Sequence, residues 1–118
     1  MDFKRADRVS DLLKEEIAQM LLREIKDPRI GFVTITDVKV SDDLRLAKVF
    51  FSMVGGDKEL AQTNKGLNSA SSYIKKKLGK RLKMRYIPDI QFKFDSSFEY
   101  GSYIDSILKG LKEPMNDH

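Results

Sequence analysis

The sequence contains no cysteine and no tryptophan, and its one histidine is the final residue, His118. Without thiols there is no disulfide and no thiolate metal site. With imidazole only at the chain end, histidine acid–base chemistry and histidine-ligated metals have nowhere to assemble. No apolar run approaches the ~20 residues needed to cross a bilayer. The N-terminal stretch M-D-F-K-R-A-D-R is charged and leads into no signal-like apolar core. There is no internal repeat and no low-complexity segment. These absences point to a cytoplasmic protein with no cofactor, no metal and no membrane contact. At 118 residues the chain is the size of one domain, able to bury roughly two-thirds of its unfolded surface without staples. That domain is expected over residues 1–112, with 113–118 a loose tail.

What the chain does have is charge, unevenly placed. Between Ser69 and Arg85 lie seven basic residues (Lys75, Lys76, Lys77, Lys80, Arg81, Lys83 and Arg85) and no acidic one. The whole chain carries 22 basic and 18 acidic residues, net +4; taking these seven from the 22 leaves 15 against 18, net −3. A basic patch on a mildly acidic body is the electrostatic footprint of a protein with a polyanionic partner. Ile74, Leu78 and Leu82 recur four apart and mark one face of a helix. At about 100° per residue, Lys76, Lys80 and Lys83 fall opposite that face, with Lys77 to one side and Lys75 and Arg81 flanking the apolar stripe. Arg85 would rotate back onto the apolar face, so the helix should end before it, in agreement with Pro88. A solvated lysine face is the plain alternative, but the row lacks the acidic partners at i±4 that such a face commonly carries.

Taken in order, Arg5–Ile25 reads as an amphipathic helix with Val9, Leu12, Leu13, Ile17, Met20, Leu21 and Ile25 on its apolar stripe. Asp7 or Ser10 is its expected cap, and Lys26-Asp27-Pro28 its stop. Arg5 and Arg8 near its start are further candidate anion contacts, since the helix dipole gives cations no help there. A strand follows over Phe32–Val40, with its alternation out of phase between Val33/Ile35 and Val38/Val40. Either a bulge near Thr36-Asp37 or cover on both faces accounts for that. After a turn at Ser41–Arg45, a second strand over Leu46–Val54 puts Ala47, Val49, Phe51 and Met53 on one face. Gly55-Gly56-Asp57 is a plain turn, because no Gly-Lys-Ser/Thr follows to make a phosphate loop. A helix from about Lys58 then meets Asn68 and the run Ser69, Ala70, Ser71, Ser72, which lowers helix propensity and predicts a kink or short break. Such a kink beside the lysines would offer backbone groups to a phosphate. A third strand is expected over Ile90–Asp95. A last helix, capped at Ser96 or Ser97, carries Tyr100, Tyr103, Ile104, Ile107, Leu108 and Leu111.

This order resembles the bacterial ribosome-binding factor A family. The likeness rests on R-A-D-R-V at Arg5–Val9, I-K-D-P-R-I-G at Ile25–Gly31 and V-S-D-D-L-R-L-A-K-V at Val40–Val49. It rests also on L-G-K-R-L at Leu78–Leu82 and I-P-D-I-Q-F-K-F-D at Ile87–Asp95. The resemblance implies an α+β, type II K-homology-like fold of order α-β-β-α-kink-α-β-α, with helices on one face of a three-stranded sheet. It implies binding to the small (30S) ribosomal subunit through 16S rRNA during late maturation, with help to 5′ end processing of the precursor and to growth in the cold. A maturation GTPase is the implied functional partner; the chain itself is expected to be a monomer. Where the family often carries an Ala-x-Gly kink, this chain has Ala70-Ser71-Ser72. Serine can bend a helix but does not let another backbone approach as closely as glycine does.

Two other readings compete. An enzyme would need more than Asp42-Asp43 and the carboxylates at Asp95 and Glu99, which have no nucleophile, base or metal cluster around them. A general K-homology-type RNA binder, or a docking module whose lysines meet an acidic protein, fits the same charge pattern.

Overall fold

The computed structural model describes residues 3–96. The C-terminal helix and tail expected from the sequence lie outside these residues. Two helices and three strands follow one another as α1 (Phe3–Arg23), β1 (Val33–Val40), β2 (Leu46–Met53), α2 (Asp57–Arg81) and β3 (Asp89–Phe94). Up to β3 this is the α+β arrangement expected.

The apolar spacing of α1 is what seats it. Ala6, Val9, Leu13, Ile17 and Met20, three or four apart, are the residues it buries. The helix starts earlier than the sequence suggested, so Asp7 and Ser10 lie inside it and cap nothing. Ser10 instead accepts a hydrogen bond from Val40 N at 3.1 Å, tying α1 to the end of β1. Beyond the helix, Asp27 receives Arg29 N at 2.9 Å and Arg29 Nη2 at 2.7 Å. Thr63, buried in α2, donates its hydroxyl to Arg29 O at 3.3 Å. The loop after α1 is thereby pinned to the first half of α2.

β1 pairs antiparallel with β2, and β2 pairs parallel with β3, giving the order β1-β2-β3. A parallel neighbour requires a long crossover, and the 25 residues of α2 supply it. The phase slip in β1 is a bulge: pairing shifts between Ile35 and Asp37, leaving Thr36 out of register. Thr36 Oγ1 donates to Asp95 Oδ2 at 2.6 Å, which holds the bulge against the end of β3. Either side of it, Ile35 pairs with Phe51 and Val38 with Val49, so the same sheet face stays apolar. That face (Ile35, Val38, Ala47, Val49, Phe51, Ile90, Phe92) joins Leu13, Ile17 and Met20 of α1 and Leu67, Ile74 and Leu78 of α2 in a single core. Both helices therefore lie on one side of the sheet. Truncating one of these fully buried leucines to alanine costs about 2–5 kcal/mol.

Of the kink or short break expected in the second helix, the break is absent. α2 is continuous helix through Ser69, Ala70, Ser71 and Ser72. Ser71 Oγ donates to Leu67 O at 3.3 Å, and Asn68 Nδ2 donates to Asn64 O at 2.9 Å. These polar side chains take up the carbonyl one turn back without displacing the backbone ladder. Burial of Gly66, Leu67, Ile74 and Leu78 on the same side outweighs their weak propensity. α2 ends at Arg81 with Leu82 extended (φ −103°, ψ 135°), before Arg85 as expected, so Lys83 lies past the helix rather than on its outer face.

The β1–β2 turn carries one unusual backbone. Leu44 has φ 62°, the left-handed region, which costs a residue with a Cβ about 1–2 kcal/mol. A dense set of bonds holds it there. Leu44 N donates to Ser41 O at 2.8 Å, Ser41 Oγ to Asp43 Oδ1 at 2.7 Å, and Leu46 N to Ser41 Oγ at 3.0 Å. Asp89 N donates to Arg45 O at 2.9 Å, fastening the turn to the start of β3.

Candidate nucleic-acid interface

The seven cations around the end of α2 divide into two groups. Lys76 and Lys80 are exposed on the outer side of the helix, and Lys83 just beyond it; none has an ion-pair or hydrogen-bond partner among the described residues. Lys77 is half-buried, its Nζ 5.6 Å from the centre of the Tyr73 ring.

The others are engaged. Lys75 Nζ donates to Asp89 Oδ1 at 2.6 Å. Arg81 donates to Glu24, the residue just past the end of α1, and lies 3.8 Å from Glu16 within α1. The unneutralised ridge expected of all seven is thus shorter than the sequence suggested. The physical reason is the side-by-side packing of α1 and α2, which brings acidic residues far away in sequence against Arg81. The hydrogen bond from Arg81 holds the Glu24 carboxyl below the ordinary glutamate range, and the same contact raises Arg81. Arg85 places its guanidinium 5.5 Å from the centre of the Tyr86 ring.

Next to the ridge is a groove of about 850 Å³ between the start of α1, the β1–β2 turn and the segment from Lys83 to Asp89. Arg5, Lys75, Lys83 and Arg85 line it, together with Arg45 from the turn and the ring of Tyr86. The fold therefore gathers Arg5 with the far end of the basic stretch. Arg8, the other early arginine, is exposed and does not line the groove. Of the residues expected to form a kink, Ser69 and Ser72 are exposed and Ala70 and Ser71 half-buried along a regular helix.

Arg45 is the residue that sequence reasoning passed over, treating it only as part of a turn. Its side chain is 88% exposed and 4.0 Å from Asp43. Asp43 is itself occupied with the turn: the Ser41 hydroxyl and then Arg45 N hold its carboxyl below the usual range. A cation beside D-D-L at a hairpin tip was the available signal, but only the parallel β2–β3 pairing shows that this tip faces the end of α2.

Among the described residues no cluster of three or more His, Cys, Asp or Glu side chains is placed to hold a metal ion. No helix there is long and apolar enough to cross a membrane. The arrangement is suited to holding a phosphate backbone by charge, with one aromatic face in reach.

A family profile described as ribosome-binding factor A matches residues 5–108. The chain is 51% identical over 115 residues to the ribosome-binding factor A of Geotalea daltonii, covering 98% of this chain and 94% of that one. To the Syntrophus aciditrophicus protein of the same name it is 56% identical over 116 residues, again 98% and 94%. In structure it is similar to a Thermotoga maritima protein described as a ribosome binding factor A and solved by NMR. The TM-score is 0.69 at 27% identity, over 79% of this chain and 89% of that one. The fold is also that of a homology model of Thermus thermophilus ribosome-binding factor A as fitted into the cryo-EM map of a complex with 30S. There the TM-score is 0.59 at 23% identity, over 70% and 87% of the two chains. With its sequence matched along most of its length and its sheet and helices in the same arrangement, the chain belongs to the ribosome-binding factor A family.

Proposed function

We propose that this chain is a ribosome assembly factor that binds the 30S subunit through 16S rRNA. In this reading it assists late maturation of the subunit, including 5′ end processing of precursor 16S rRNA and assembly in the cold, and it acts by binding without catalysis. It works in the cytoplasm as a monomer, alongside a maturation GTPase. Residues 1–112 act as one K-homology-like RNA-binding domain, and 113–118 as a tail.

The observation that carries the reading is the exposed pair Lys76 and Lys80 on α2, unpartnered among the described residues, with Lys83 and the cationic groove continuing the same positive surface. The Thermus thermophilus relative fitted into a 30S complex supplies the class of target. Lys75, Lys77, Arg81, Arg85, Arg5 and Arg8 contribute field around that pair, and Ser69–Ser72 carry it as a regular helix. Shape and phosphate dominate over base identity along the ridge, because lysine there is not interleaved with aromatics.

The test is cosedimentation of the Lys76→Glu/Lys80→Glu double variant with small subunits. Loss of binding with an unchanged unfolding midpoint is expected. Normal cosedimentation overturns the reading, and wild-type binding that survives RNase treatment would favour an acidic protein partner instead.

A further inference from the structure

We infer that the groove beside the lysine ridge takes a single-stranded RNA segment, with phosphates on Arg45, Lys83 and Arg85 and one unpaired base against Tyr86. The inference deepens the rRNA-binding reading and rests on it, because it takes the polyanion to be RNA.

The groove, at about 850 Å³, is within the range of ligand-sized clefts, about 300–1,000 Å³. Its two carboxylates are already committed. Asp89 receives Lys75 at 2.6 Å, and Asp43 receives the Ser41 hydroxyl at 2.7 Å. The Arg45 guanidinium, 88% exposed and 4.0 Å from Asp43 Oδ2 in a loose surface pair that a phosphate can replace, and Lys83, with no ion pair among the described residues, meet an incoming anion. Tyr86 is 71% exposed although it lines the groove, and Arg85 sits over its ring at 5.5 Å. A phenol ring with an arginine on it and open area left over is a stacking platform for a base.

The left-handed Leu44 lines the groove and, held by the turn's hydrogen bonds, sets the backbone from which Arg45 extends. Strain of this kind is retained where the position of a neighbouring group matters. Duplex RNA keeps its bases stacked inside and has none to give to Tyr86, whereas an unpaired strand does. The outer ridge at Lys76 and Lys80 remains free to meet structured RNA, so the two surfaces can engage a strand and a helix of one folded RNA together.

Fluorescence anisotropy of the full chain with a labelled short oligouridylate, compared with a blunt RNA duplex of the same length, tests this. Tyr86→Ala should weaken the oligouridylate about tenfold, the loss of one stacked base, and leave the duplex unchanged. Tyr86→Leu should behave as Tyr86→Ala, and Tyr86→Phe as wild type. Arg45→Ala should weaken the oligouridylate and reduce its log–log salt slope by about 0.7, one single-strand phosphate. Equal effects on both RNAs, or none, overturn the assignment. So does a poly-glutamate peptide that binds through Arg45 where oligouridylate does not, which would make the groove a protein site. These outcomes are separate from failure of the broader reading, which is decided by Lys76→Glu/Lys80→Glu and subunit cosedimentation.

Discussion

Lys75 Nζ donates to Asp89 Oδ1 at 2.6 Å, joining the second half of α2 to the first residue of β3. Arg81 makes a similar connection to the end of the first helical segment, through Glu24 just past α1 and Glu16 within it. Two cations that sequence groups with the binding patch are therefore also internal ties. Exposed pairs of this kind contribute little to stability, because solvent screens them and ordering two long side chains offsets the attraction. Their larger effect is on where charge remains: along Lys76, Lys80 and Lys83, and across the groove at Arg45.

Releasing Arg81 should strengthen RNA binding. In Glu16→Gln/Glu24→Gln the guanidinium loses both carboxylates. If it then reaches a phosphate, the log–log salt slope for RNA steepens by about 0.7–0.9. Anisotropy titrations across a salt series read this directly, and an unchanged slope would show that Arg81 serves only the fold.

Acid should erode stability in a defined direction. Glu24, Asp27 and Asp43 all have carboxyls held below their ordinary range, chiefly by hydrogen bonds from Arg81, Arg29 and Ser41 in turn. A lowered folded-state pKa means the ionised form favours folding. That contribution is complete above the unfolded carboxylate range and disappears as pH falls below about 4, through the folded values. Denaturant unfolding measured from pH 7 down to about 2 should show the loss, and Glu24→Gln should make it shallower.

Gly66 is a packing requirement. A Cβ there would lie 2.7 Å from Ile30 Cγ1 and 3.3 Å from Arg29 Cβ. Alanine gains about 1 kcal/mol of helix propensity, against about 1–3 kcal/mol for overpacking. Gly66→Ala should therefore destabilise by about 1 kcal/mol net. Combined with Ile30→Ala it should cost less than the two single changes together, a coupling that denaturation of the four proteins measures.

Continuity of α2 makes its own forecast. Ser72 is exposed inside a regular helix, so Ser72→Ala should stabilise by about 0.5 kcal/mol and Ser72→Gly should cost a few tenths of a kcal/mol, about the propensity differences. Were the helix broken at this position, Ser72→Ala would leave the unfolding midpoint where it is.

The elements legible in the sequence were those whose burial repeats at a fixed period. The stripe from Val9 to Met20 located α1, and the slip between Ile35 and Val38 left two explanations, of which a bulge at Thr36 is the one adopted. At Ser69–Ser72 local propensity allowed a break that does not occur, because it weighs each serine alone while Leu67, Ile74 and Leu78 bury a common side of one helix. The capping expectation at Asp7 or Ser10 failed for a related reason: Ser10 finds a better partner in Val40 N, a residue from another element.

By itself the sequence determined that a dense block of cations follows an apolar stripe, that no thiol or internal imidazole chemistry is available, and that a helix, two strands joined by a short turn, a second helical stretch and a third strand follow in that order. Those properties are set by residue type and spacing along the chain. Only the tertiary structure decided which cations remain available. Glu24 reaches Arg81 across 57 residues and Asp89 reaches Lys75 across 14, while Arg45 comes to the same groove as Lys83 through strand pairing. Electrostatic partnership depends on distance in space, and that distance is fixed by how α1 and α2 settle on the sheet.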